Sequence, residues 1–155
     1  MYQTKRKTQP ISFIQRIGPY GNDNRTLMTA FLTRLSDLGV LNETTEILGL
    51  VPHPSDGNRL HPCSYTCATP QNSAVLKQAS SLEHGFLTAA SYLVLELEHT
   101  AKAIEEAYAH LETTLSLNAL HSDITHPLLE RYTLQSIRDH QCELWIPIQE
   151  EDLVG

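Results

Sequence analysis

Apolar residues recur at three- and four-residue spacing in two segments of the chain, which is the pattern of an amphipathic helix. The first segment covers residues 24–38 and is followed by Gly39, a residue type that commonly ends helices. The second segment covers residues 101–117. The apolar positions are Leu27, Met28, Phe31, Leu32, Leu35 and Leu38 in the first segment, and Ile104, Ala107, Tyr108, Leu111 and Leu115 in the second.

Short apolar runs between turn-forming residues predict β-strands in the rest of the chain. The runs lie at residues 11–17, 46–51, 62–68, 91–98, 127–132 and 143–148, and residues 86–90 are expected to begin a strand or to form an edge segment. Residues 1–10 are basic and polar, which predicts a loose tail. The polar stretch 71–85 predicts a connector between two halves.

The predicted elements follow the order β-α-β-β in residues 11–70 and again in residues 86–149, with corresponding elements about 80 residues apart. This repetition predicts a single α+β domain over residues 1–155. Its two units would be related by pseudo-two-fold symmetry, with antiparallel sheets and with helices on one side. Seams between such units are common small-molecule sites, so we expect a ligand groove between the repeats.

Glu130 lies in a predicted strand, between apolar neighbours. Side chains alternate along a strand, so Leu128, Glu130 and Tyr132 share one face. If that face is buried, the carboxylate needs a cationic or hydrogen-bonding partner, or it must take up a proton. Composition alone favours an edge strand with Glu130 in water, because glutamate is rarely buried without a partner.

The overall charge narrows the classes of function. The 155 residues include 11 Lys and Arg against 18 Asp and Glu, a net charge of −7. Such a chain repels the DNA backbone and suits a binder of cations, so direct nucleic-acid binding is not expected. No apolar run reaches the length of a membrane span, and the first residues lack the apolar core of a signal peptide. We therefore expect a cytoplasmic protein without a membrane partner.

Known chemical motifs are scarce in the sequence. The three cysteines are odd in number, which argues against a disulfide framework and predicts reduced thiols. His61, Cys63 and Cys67 could share a strand face, but no paired C-x-x-C follows them, so no metal is expected. Nucleotide-binding loops and catalytic serine motifs are also missing from the sequence, and no cofactor or catalytic residue is predicted.

Three motifs and the repeat together resemble the GyrI-like family. The motifs are Arg16-x-Gly18-Pro19-Tyr20-Gly21, Pro127-x-x-Glu130-x-Tyr132 and Leu144-x-Ile146-Pro147-Ile148. This family includes the effector-binding domain of many AraC- and MerR-type bacterial transcription activators, and a stand-alone gyrase-inhibitory protein. The resemblance extends from about Ile11 to Gln149. It departs from the family pattern at His99-Thr100-Ala101 in the second repeat and at Cys63-Ser64-Tyr65 in the third strand.

The resemblance implies an aromatic-lined pocket between the repeats, in which Glu130 meets the charge of a lipophilic cation. We expect the face of Glu130 to point away from the helices, toward the groove. Further candidate ligand contacts are Trp145, Tyr65, Tyr108, Tyr20, Phe13 and Tyr92. Trp145 could stack on a planar cation or pack in the core, and Tyr108 could face either the pocket or the core.

Three functions fit the sequence. The first is a small-molecule binding protein for amphipathic, cationic and lipophilic compounds, which resembles the effector-binding domain of transcription activators. The second is a hydrolase of reactive electrophiles, in which a pocket glutamate activates water. The third is a gyrase-inhibitory protein. The natural ligand and a protein partner, either a regulator or gyrase, are left open by the sequence.

Overall fold

A computed structural model describes residues 1–18, 22–53 and 64–150, and these ranges contain eight strands and five helices. In chain order they are β1 (Tyr2–Arg6), β2 (Gln9–Ile17), α1 (Asn22–Asp37), β3 (Ile47–Val51), β4 (Ser64–Pro70), α2 (Ala74–Gln78), β5 (Glu83–Leu87), β6 (Ala90–Glu98), α3 (Ala101–Ala109), α4 (Leu111–Leu117), β7 (Leu128–Tyr132), α5 (Leu134–Arg138) and β8 (Gln141–Ile148).

All eight strands form one antiparallel sheet in the order β1-β6-β8-β7-β3-β4-β2-β5. The order is symmetric about the central pair β7–β3, because β6, β8 and β7 occupy the positions that β2, β4 and β3 occupy on the other side. The predicted α+β fold with a tandem β-α-β-β repeat is therefore confirmed. The strand that precedes each repeat pairs with the other repeat. Strand β1 pairs with β6 of the second half, and β5 pairs with β2 of the first half.

The sheet is strongly curved. Three strands separate β1 from β3 in the sheet order. In a flat sheet β1 and β3 would lie about 19 Å apart, since adjacent strands are spaced by about 4.8 Å. Arg6, the last residue of β1, nevertheless bonds directly to Glu46, which immediately precedes β3. The sheet therefore bends far enough to bring its first strand back toward its middle.

Both long helical segments cover the same face of the sheet. One row of directly paired residues crosses this face, and its members are Ile14, Cys67, Gly49, Glu130 and Leu144. At one end of the row, Ile14 and Cys67 belong to the core cluster of Phe31 and Leu35 from α1. At the other end, Leu144 packs in a cluster with Leu111 and Leu115 from α4. The prediction of helices on one side is confirmed.

The opposite face of the sheet is concave and has a core of its own. Leu48, Ala68, Tyr92, Val94 and Leu129 pack there with Trp145, and each of them is buried. None of the described helices contributes to this cluster. Within the described residues, these side chains pack against strands of the curved sheet rather than against a helical layer.

Four elements differ from the sequence expectations. The first ten residues are not a loose tail, because β1 pairs with β6 from Tyr2 opposite Val94 to Arg6 opposite Ala90. The helix predicted over 101–117 is divided into α3 and α4 at His110, whose φ of −104° and ψ of 14° leave helical geometry. Within the predicted connector lies the short helix α2, and α5 was not predicted.

Two further expectations concern metals and membranes. Within residues 1–18, 22–53 and 64–150, no group of three His, Cys, Asp or Glu side chains is placed to hold a metal ion. His61 and Cys63 lie outside the described residues, while Cys67 is a buried free thiol. None of the helices in these ranges combines the length and apolar character needed to cross a membrane.

Candidate functional site

Glu130 lies at the middle of β7, in the centre of the sheet, on the face that the helices cover. Only 4% of its surface is exposed, and its neighbours Leu128 and Tyr132 on the same face are also buried. The predicted grouping of these three side chains is confirmed. The expectation that Glu130 points away from the helices is wrong, because a residue of α3 contacts its carboxylate.

Three tyrosine hydroxyls converge on the Glu130 carboxylate. Tyr65 from β4 and Tyr132 from β7 donate to Oε1 at 3.2 and 3.1 Å, and Tyr108 from α3 donates to Oε2 at 2.9 Å. A buried carboxylate is costly unless its oxygens accept hydrogen bonds, and these three bonds serve that need. Each donor is a neutral phenol, so none of the three bonds brings a positive charge to Glu130.

Gly49 makes room for this arrangement. It lies on β3 directly opposite Glu130, so a side chain there would project onto the same face. A Cβ built at Gly49 would lie 2.9 Å from Cζ of Tyr65 and would overlap its hydroxyl group. The absence of a side chain at this position therefore lets Tyr65 cross β3 and reach the carboxylate.

Two buried thiols lie within the electrostatic range of the site. Burial raises the pKa of Cys67 to about 12, and the negative charge of Glu130 acts in the same direction. Burial and the charges of Glu130 and Glu143 likewise raise the pKa of Cys142 to about 12. Both thiols are therefore protonated at neutral pH and are poor nucleophiles, because the thiolate is the reactive form.

His99 lies at the edge of the site, in the position between β6 and α3. Its ring centroid is 5.0 Å from that of Tyr132, with the planes tilted by 53°. Burial lowers the pKa of His99, Glu130 raises it, and the electrostatic effects of Arg25 and His140 lower it further. The net effect is a pKa below the ordinary value of histidine, so the ring is mainly neutral at pH 7.

The aromatic residues on the opposite face surround a different set of charges. Tyr92 and Trp145 pack edge to face with a centroid distance of 5.4 Å, and the guanidinium carbon of Arg6 lies 5.0 Å from the centroid of the Trp145 ring. Arg6 also bonds to Glu46, which in turn accepts a hydrogen bond from Nε of Arg131 at 2.5 Å. The cation that stacks on Trp145 in this structure thus comes from the chain itself.

The structure divides the candidate residues into two groups. Glu130, Tyr65 and Tyr108 meet on the helical face, whereas Trp145, Tyr92 and Phe13 lie on the concave face. Tyr20 lies outside the described residues. Tyr132 and His99 were not among the candidates. The alternation of β7 could have identified Tyr132, while no local signal connects His99 with Glu130.

Comparisons with solved structures define the class of fold. SAV2435, in a structure described as bound to tetraphenylphosphonium, superposes with a TM-score of 0.66 at 20% identity, over 98% of this chain and 95% of that chain. The C-terminal domain of EcmrR superposes with a TM-score of 0.64 at 10% identity, over 96% of each chain. The chain therefore has the same α+β fold as these two proteins.

A sequence relative then shows the family. The "SPbeta prophage-derived putative transcriptional regulator YosT" of Bacillus subtilis (strain 168) is 32% identical over 145 residues, which cover 90% of this chain and 92% of the relative. The chain belongs to the same family as YosT. No model of a known protein family matches the chain.

Proposed function

We propose that this chain is a small-molecule binding protein of the GyrI-like type, and that it holds lipophilic cations at Glu130. The observation that carries the proposal is the convergence of three tyrosine hydroxyls on one buried carboxylate. In this proposal the tyrosines have two roles. Their hydroxyls keep the carboxylate in place, and their rings offer aromatic surface to a cation.

The free energy of binding at this site should favour a cation whose charge is delocalised. The three phenols donate hydrogen bonds without adding a positive charge, and in this proposal the buried carboxylate attracts a positive group that enters the site. A lipophilic cation has a weak hydration shell and loses little on leaving water, whereas its apolar groups gain from burial. A phosphonium or an aromatic cation meets both conditions.

The similar proteins support this proposal. SAV2435, which has the same fold, is described as bound to tetraphenylphosphonium, and YosT is named as a transcriptional regulator. We infer that this chain acts as an effector-binding module, which senses or sequesters its ligand. The motif Pro127-x-x-Glu130-x-Tyr132, which first indicated the GyrI-like family, contributes two of the four residues in the proposed site.

The proposal is tested by replacing the charge of Glu130 and keeping its shape. Isothermal titration calorimetry would compare wild type and Glu130→Gln, with tetraphenylphosphonium as the cation and triphenylphosphine oxide as a neutral ligand of similar shape. We expect the variant to bind the cation about 10- to 100-fold more weakly, as for the loss of one partner of a desolvated charge pair. Binding of the neutral ligand should change little.

Glu83→Gln is the matched control, because Glu83 is an exposed strand carboxylate and the two variants have the same net charge. It should bind the cation as wild type does. Circular dichroism would verify that both variants are folded. Equal weakening in the two variants, or equal weakening for both ligands in Glu130→Gln, would contradict a cation site at Glu130.

A further inference from the structure

His99 is a second ionisable side chain beside the Glu130 site, and it lies between β6 and α3, the helix that carries Tyr108. It follows β6 directly and precedes Thr100, whose hydroxyl accepts the N-terminal hydrogen bond of α3. Its backbone N–H donates to the carbonyl of His140 at 2.8 Å. These contacts fix the backbone from which the His99 ring extends toward the site.

The ring of His99 contacts the group that bonds to the carboxylate. It packs against the Tyr132 ring at a centroid distance of 5.0 Å, and the Tyr132 hydroxyl donates to Oε1 of Glu130 at 3.1 Å. A single phenol therefore separates the imidazole from Glu130. A proton on His99 would place a positive charge beside an aromatic ring and within reach of the carboxylate charge.

Three other ionisable groups act on His99, from three different parts of the fold. Glu130 on β7 favours the protonated ring, while Arg25 on α1 and His140 before β8 disfavour it. The buried ring of Tyr132 lies against His99, and its hydroxyl donates to Glu130. Burial of the ring also disfavours the charge, so protonation requires a pH below the usual range for histidine.

We propose that His99 determines how the site discriminates between cationic and neutral ligands as the pH changes, a role that rests on the proposed function of Glu130. When His99 is neutral, it does not compete with a ligand cation for the charge of Glu130. When His99 is protonated, its imidazolium competes for that charge and repels the cation. A neutral ligand experiences neither effect, so its affinity should not follow the titration of His99.

The direction of the pH dependence follows from linkage between proton and cation binding. Each positive charge opposes the other, so a bound cation lowers the pKa of His99, and a proton on His99 weakens cation binding. Affinity for the cation should therefore be full at pH 7.5 and should fall below about pH 6.5. In the ligand-free protein the pKa of His99 lies below the ordinary value of histidine. The loss of cation affinity at pH 5.5 should therefore not exceed about tenfold.

The experiment measures tetraphenylphosphonium and triphenylphosphine oxide affinities at pH 7.5, 6.5 and 5.5 in wild type, His99→Gln and His110→Gln. His110 is an exposed histidine between α3 and α4 and serves as the matched control. We expect a several-fold loss of cation affinity at pH 5.5 in wild type and His110→Gln, and a clearly smaller loss in His99→Gln. A loss that wild type and His110→Gln share and that His99→Gln lacks is assigned to His99.

Two outcomes would overturn the proposal in distinguishable ways. Parallel pH profiles in wild type and His99→Gln, with strong cation binding at pH 7.5, would overturn the role of His99 and leave the proposed function intact. Failure of the wild type to bind the cation at pH 7.5 would overturn both.

A ligand-free NMR titration adds a direct check. The pKa of His99 should be lower in Glu130→Gln than in wild type, and equal values would show that the two groups are not coupled.

Discussion

The two faces of the sheet each hold buried or half-buried carboxylates, but with different partners. On the concave face, Glu46 accepts hydrogen bonds from Arg6 and Arg131. On the helical face, Glu130 accepts hydrogen bonds from three tyrosines. An arginine supplies both hydrogen bonds and a neutralising charge, whereas a tyrosine supplies only the hydrogen bond.

This difference separates a structural carboxylate from a candidate binding carboxylate. The charges around Glu46 are balanced within the chain, and the hydrogen bonds link β1, the segment before β3, and β7. Glu143 extends the same network, since it accepts from Arg131 at 3.1 Å and from the Trp145 ring nitrogen at 3.2 Å. The comparison predicts that changes on the concave face reduce stability, and that changes around Glu130 alter cation binding.

The largest expected effect is on stability, from Glu46→Gln. This change leaves the Arg6 guanidinium without a neutralising carboxylate and leaves Arg131 paired with Glu143 alone, and we expect a loss of about 2–3 kcal/mol in the free energy of unfolding. Urea denaturation followed by the fluorescence of Trp145, the single tryptophan, would measure it. Cation affinity should stay within about twofold of wild type. A stable variant that binds the cation poorly would reverse the assigned roles of the two faces.

Gly49→Ala should have the next largest effect, because the new methyl group would overlap Tyr65. We expect about 2 kcal/mol of destabilisation from overpacking, together with weaker cation binding as Tyr65 moves off Glu130. Gly85→Ala is the matched control, since its methyl group would lie 3.2 Å from the edge of the Phe13 ring on the concave face. Gly85→Ala should destabilise the protein less than Gly49→Ala does, and it should leave cation binding unchanged. Similar binding losses in both variants would argue against a specific role for Gly49.

Removal of a single hydroxyl group from either face should have a smaller effect on stability, and the two faces should differ. Tyr132→Phe removes a donor to Glu130 and should cost about 1 kcal/mol of stability, the usual value for a buried hydrogen bond. Tyr92→Phe on the concave face removes a buried hydroxyl that has no hydrogen-bond partner among the described residues. It should be neutral or stabilising. Thermal unfolding of both variants would measure the difference, and a larger loss for Tyr92→Phe would contradict it.

The smallest expected effect is the acid response of Glu46. Burial alone would raise the pKa of its carboxyl group, but the hydrogen bonds from Arg6 and Arg131 outweigh burial, and the pKa is lowered from 4.5. Its contribution to stability is therefore complete above pH 4.5 and is lost as the pH falls through the lower pKa of the folded state. Urea denaturation at pH 7 and pH 3 should show a smaller drop in Glu46→Gln than in wild type. Equal drops would mean that Glu46 is not linked to acid unfolding.

The sequence predicts most of the fold because its local signals agree with the final structure. Apolar spacing places α1 and the paired segment α3–α4, and apolar runs place the six strands of the two repeats. It does not predict β1, because Tyr2–Arg6 has few apolar residues and its pairing partner β6 is distant in the chain. The strand propensity of a segment depends on its own residues, whereas β1 is stabilised by pairing with the distant strand β6.

The site is only partly predictable for a related reason. Alternation along β7 shows that Glu130 and Tyr132 share a face, but it does not show which face the helices cover. The same limit applies to Trp145, whose position in β8 was compatible with either face. Tyr108 could be assigned to the site only once the packing of α3 against the sheet was known.

The exchange of β1 and β5 between the two halves has a consequence for synthesis of the chain. Tyr2 leaves the ribosome well before its partner Val94 in β6, which follows only after the whole first half. Strand β1 must therefore wait, unpaired, until β6 has emerged, and the edge of β2 waits in the same way for β5. Long-range pairing of this kind delays folding, so the eight-stranded sheet can close only after β8 has been made.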